Sequence, residues 1–92
     1  MAAANQPPVL KLIKARRVRA GRRLRIKLSA KDPNHNLLIF SMSRMPDGAT
    51  FDPMRRTFQW IPAPNQVGPY NLTASVSDAL TNVTTPVTIT VY

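Results

Sequence analysis

Leu24, Ile26, Leu28 and Ala30 alternate with Arg23, Arg25, Lys27, Ser29 and Lys31. A strict period of two suits a half-buried strand and does not suit a helix, whose apolar residues recur every three or four positions. The same alternation returns at Tyr70, Leu72, Ala74 and Val76, set against Asn71, Thr73, Ser75 and Ser77. Nine prolines punctuate the chain, and no long stretch shows a helical period. Short alternating runs between turn signals predict an all-β fold in which each strand has one face toward a core and one toward solvent.

The remaining elements follow from the same reading. Residues 5–8 read as a linker entering the domain, residues 9–13 as a first strand, and Val18 as its continuation before a turn at Ala20-Gly21. Residues 24–31 form the clearest strand, and residues 32–36 the loop after it. Leu38, Phe40 and Met42 should then face inward, which leaves Leu37 and Ile39 on the opposite face. Pro46-Asp47-Gly48 and residues 52–56 are turns, with Phe51 capping the core between them. Phe58 and Trp60 share one face of a strand that Pro62 and Pro64 end. Val87, Ile89 and Val91 face inward on the last strand, where Pro86 requires an edge or a bulge. The sum is about seven strands, enough for a β-sandwich.

Ninety-two residues supply one modest core, and the chain has no cysteine to supplement it with disulfides or thiolate metal sites. No apolar run approaches the roughly 18 residues of a membrane span. Residues 1–4, Met-Ala-Ala-Ala, lack the basic and apolar segments of a signal peptide and read as a start or linker ahead of one domain over residues 5–92. Four aspartates, one histidine and no cysteine give catalysis little to work with, and Asp47, Asp52 and Asp78 all fall in turns.

Three strings carry a resemblance. They are Met45-Pro46-Asp47-Gly48-Ala49-Thr50-Phe51-Asp52-Pro53, Thr57-Phe58-Gln59-Trp60-Ile61-Pro62, and Gln66-Val67-Gly68-Pro69-Tyr70 running on to Val76-Ser77-Asp78. They resemble the bacterial and archaeal cadherin-like, immunoglobulin-like modules of the dystroglycan-type cadherin-like and Putative Ig families. The likeness extends to Asn5-Gln6-Pro7-Pro8-Val9 and to Val87-Thr88-Ile89-Thr90-Val91. It implies an immunoglobulin-like antiparallel sandwich, a non-catalytic structural or adhesive module of a larger surface or secreted protein that acts as a spacer or a protein- or glycan-binding unit, with calcium-dependent adhesion as the alternative, and an extracellular setting. Neighbouring domains of that protein are the expected partners, and the isolated domain is expected to be a monomer.

The resemblance also brings a candidate calcium set: Asp32, Asn34, Asn36 and Asp78. Relatives commonly have Asp-Pro-Asp-Gly-Asp in this loop, and oxygen ligands at alternate positions suit a hard cation. Here two of those acids are Asn. The first turn, Asn-Glu-Gly in relatives, reads Arg19-Ala20-Gly21-Arg22, and its cations are expected near the loop, opposing a metal. Turn hydrogen bonding is the competing role for these residues, and no cofactor other than calcium is a candidate. Arg56 occupies a relative's Gly, which predicts another geometry for that turn.

Charge supplies a further reading. Ten of the thirteen Lys and Arg residues lie in residues 11–31, without one acid among them, and the net charge is +9. Lys11, Lys14, Arg17, Arg23, Arg25 and Lys27 are candidates for holding a polyanion such as an acidic polysaccharide, lipid or nucleic acid. The competing role is a solvated face that prevents edge pairing.

Overall fold

The computed structural model describes residues 6–33 and 37–92. It is built of strands: β1 (Val9–Leu10), β2 (Arg16–Val18), β3 (Leu24–Lys27), β4 (Ala30–Lys31), β5 (Ile39–Ser43), β6 (Thr50–Asp52), β7 (Thr57–Trp60), β8 (Gly68–Ser77) and β9 (Asn82–Val91). A single 3-10 turn, Pro64–Gln66, precedes β8. One sheet has the order β2-β9-β8-β5, another the order β3-β7-β6, and β1 pairs with β4 as a short extension. The nine segments reduce to the seven strands expected, because β1 and β2 divide one strand and β3 and β4 divide another.

Those divisions are where the structure departs from the sequence reading. Residues 9–13 do not form one strand. The chain pairs with β4 at Val9 and Leu10, makes one more backbone bond from Lys11 N to Ser29 O (2.9 Å), and leaves. It joins the opposite sheet at β2, which runs parallel to β9. Two sheets compete for one N-terminal strand, and splitting it gives each sheet part of its edge. Residues 24–31 are likewise interrupted at Leu28-Ser29, and Ala30 is only half-buried.

The core follows the alternation. Leu24, Ile26, Leu28, Phe58 and Trp60 project from one layer, and Phe40, Leu72, Ala74, Val76, Val87, Ile89 and Val91 from the other. Leu38 and Met42 pack against it partly, whereas Leu37 and Ile39 are exposed, as the period of two requires. Trp60 meets Tyr70 edge to face at 4.9 Å and 80°, a favoured aromatic arrangement. The Tyr70 hydroxyl donates to Gln66 O at 2.9 Å. Pro86 lies on β9 beyond the reach of β2, which covers only residues 89–91. Because Tyr92 N points toward β2, alternation turns position 86 the same way, to the open edge, where a missing N–H costs no ladder bond.

The turn at Arg56 keeps the glycine-like backbone. Its φ is +56°, and its carbonyl accepts from Leu28 N at 2.8 Å. The expectation of another geometry is therefore corrected. A left-handed residue with a Cβ costs roughly 1–2 kcal/mol. The side chain offsets part of that cost by laying its guanidinium over the Phe40 ring at 5.5 Å.

Candidate functional site

Strand register sorts the candidate residues into two ends and one open edge. At one end, β8 finishes at Ser77 and β9 begins at Asn82, so the tight turn between them holds Asp78. The loop leaving β4 at Asp32 delivers β5 with Ile39 opposite Ser77, which assigns Asp32 to that same end. Asn34 and Asn36 lie outside the described residues. At the other end, Ala20 N bonds Tyr92 O (2.8 Å) and Gly21 N bonds Pro62 O (2.7 Å). The Arg19–Arg22 turn is therefore separated from Asp78 by the whole of β9, about 30 Å at a strand's rise of roughly 3.4 Å per residue. This corrects the expectation that Arg19 and Arg22 stand beside the Asp32 loop. Its cause is topological, since the turn follows β2, which ends at Val18, opposite Val91 of β9.

Asp78 is buried and bonds within its own turn. Its Oδ1 accepts from Leu80 N (2.9 Å), Thr81 N (2.7 Å) and Thr81 Oγ1 (3.1 Å). A carboxylate with these three donors on one oxygen organises the turn. The following residue, Ala79, takes φ +78°, a conformation that glycine adopts without strain. Among the described residues no three His, Cys, Asp or Glu side chains gather as a metal cluster would require.

Of the six polyanion candidates, Arg17 stands apart and the other five gather on β3 and its open edge. Arg17 lies over the Tyr92 ring at 4.9 Å, at the C-terminal end. Arg23 lines a shallow depression with Gly48, Thr50 and Gln59. Arg25 and Lys27 on β3, and Arg23 just before it, alternate with the buried Leu24 and Ile26. Lys11 and Lys14 join Lys27 at the open edge of β3, around a cleft of about 330 Å³ whose floor includes the buried Ile26. Arg16, which the sequence reading passed over, completes the rim, and its guanidinium donates to Arg25 O at 3.2 Å. The signal that could have found it is its place two residues before Val18. Val18 faces the core, so Arg16 leans toward the facing sheet instead of outward with Arg17.

The cleft exists because the N-terminal strand changes sheets. Leu28 N bonds toward β7, so alternation turns the backbone N–H and C=O groups of Arg25, Lys27 and Ser29 to the opposite, open side. Lys11 N and Arg16 each take one of those carbonyls, and the chain between them bridges the gap.

Residues 7–92 match the family described as "Putative Ig domain". The chain belongs to this immunoglobulin-like family. No curated protein matches it in sequence. Solved structures with the same fold include an endo-fucoidan hydrolase of glycoside hydrolase family 107, at TM-score 0.79 and 17% identity. Two others are human protocadherin-24 EC1-2, at 0.74 and 18%, and Drosophila N-cadherin EC1-4, at 0.74 and 11%. These likenesses cover 100%, 96% and 96% of the Ig domain but only 14%, 45% and 25% of the respective chains. The domain therefore has the size of one part of each. Its cadherin-like, immunoglobulin-like sandwich is shared with proteins as different as hydrolases and cadherins, so the fold by itself assigns no chemistry. Among the described residues no helix is long and apolar enough to cross a membrane.

Proposed function

We propose that the domain is a non-catalytic, load-bearing spacer in a longer surface or secreted protein, joined in line to its neighbours. The parallel pairing of β2 with β9 carries this reading. The first strand and the last run in the same direction, so the chain enters beside Lys31 and Asp32 and leaves at the far end, at Tyr92. A domain of this topology adds its length to a string of modules instead of folding the string back. Tension between its ends pulls β2 and β9 in opposite directions along their axes, loading their hydrogen bonds together in shear.

The experiment is single-molecule pulling through the two ends, comparing the wild type with Ala20→Pro. Residues 19–22 form a turn closed by Arg22 N to Arg19 O (3.0 Å), with Gly21 at φ +86°. That is type II geometry, which favours proline at the second position. The substitution removes the Ala20 N–H bond to Tyr92 O, a net loss of about 1 kcal/mol. Rigidifying the turn returns about 0.4–1 kcal/mol. Thermal stability should therefore stay within a few degrees, about 4 °C or less, while the unfolding force falls. An unchanged force would contradict the shear-bearing role.

A further inference from the structure

The cleft between β3 and the crossing segment collects more positive charge than an unpaired strand edge needs. A single lysine such as Lys27 suffices to discourage strand addition. Here Lys11, Lys14 and Arg16 come to the same gap from a different part of the chain, and among the described residues no acidic one lines it. Like charges brought together repel, and the arrangement costs free energy unless an anion occupies it. Beyond the cleft, Lys27, Arg25 and Arg23 continue along one strand face at intervals of roughly 7 Å. That is a row suited to a polymer with repeated charges. The floor includes the buried Ile26, and strand alternation turns the Lys27 backbone N–H toward the opening, a donor of the kind that binds anionic oxygens.

We infer that this cleft is a binding site for an acidic polysaccharide, one sulfate or carboxylate lodging among Lys11, Lys14, Arg16 and Lys27 while the chain continues over Arg25 and Arg23. Nucleic acid is the less suited polymer for two reasons. Among the described residues no aromatic side chain lines the cleft to stack a base. Three of its four cations are lysines, point charges without the fork that makes arginine the common partner of phosphate. The inference does not depend on the spacer role, since a module under tension can also carry a glycan contact.

The test uses the double variant Lys14→Gln/Lys27→Gln, with Arg19→Gln/Arg44→Gln as an equal charge change outside the cleft. Binding is measured by calorimetry to a size-defined heparin oligosaccharide, to polygalacturonate and to a short DNA duplex of matched charge. The cleft variant should lose roughly tenfold or more in affinity for a polysaccharide at about 0.1 M salt. Its salt slope should fall by about 1.4, two contacts at about 0.7 each. The control variant should keep most of the wild-type affinity. Preference for heparin over polygalacturonate would identify sulfate as the lodged group, and the reverse would identify carboxylate. Equal losses in the two variants, tighter binding of DNA than of either polysaccharide, or no binding to any of the three would overturn the proposal. Circular dichroism of both variants confirms that they remain folded. If the cleft pair fails to fold, Lys14→Gln alone, in the loop between β1 and β2, replaces it with an expected slope change of about 0.7.

Discussion

Trp60→Ala is expected to lower the stability of the domain by roughly 3–5 kcal/mol, the range for large aromatic truncations in cores. Trp60 is 1% exposed and sits where β7 ends, paired with Leu24 and packed across the sandwich on Tyr70. Removing it empties the space between the layers at the end where the chain leaves, and neighbouring strands can close only part of the void. Domains of this size hold about 5–15 kcal/mol in total, so the variant should be mostly unfolded at moderately raised temperature. Trp60→Phe separates volume from polarity. Among the described residues the Trp60 Nε1 N–H is buried without a hydrogen-bond acceptor, and phenylalanine removes that unsatisfied donor while keeping one ring. Its loss should be well below that of alanine. Urea unfolding of the three proteins measures both differences, and equal losses for Phe and Ala would show that packing volume at this position is not what matters.

Asp78→Ala should be the next most damaging change, costing roughly 2–3 kcal/mol. The substitution strands Leu80 N, Thr81 N and Thr81 Oγ1 in a part-buried turn. Hydrogen bonds to charged groups contribute about 1.5–3 kcal/mol, and orphaned donors cost about 1–3 kcal/mol. The contributions overlap because one oxygen serves all three donors, so they do not sum. Asp78→Asn retains an acceptor at the same position and should recover most of the loss. Urea unfolding checks this directly. If Asn proved as damaging as Ala, negative charge and not hydrogen-bond geometry would be the essential property of the residue.

Much of this architecture is legible in the sequence, and the reason is the period of two. Leu24, Ile26 and Leu28, Phe58 and Trp60, and Leu72, Ala74 and Val76 all face inward as their spacing requires. Burial on one side of a strand leaves a pattern that needs no knowledge of the partner strand. The N-terminal strand is harder. Leu10, Leu12 and Ile13 do not declare one phase, and the switch from β4 to β9 depends on which edges are open in the folded sandwich. Arg19 and Arg22 were misplaced for a related reason, because the end to which a turn belongs is a property of topology and not of the turn's own residues. The cleft was legible only in pieces. Lys11, Lys14 and Lys27 are visible as charges, but their convergence, and the part played by Arg16, arise from two strands that separate after the Lys11–Ser29 bond.

The chain enters at one end of the sandwich and leaves at the other. A chain without cysteine permits two unique labels, at Pro7→Cys beside the start of β1 and at Tyr92→Cys beyond β9. Electron-electron resonance between spin labels at these sites should give one narrow distance distribution centred at about 30–40 Å, the span of ten strand residues at roughly 3.4 Å each plus the labels' reach. A distribution centred below about 20 Å would place both termini at one end and contradict the account.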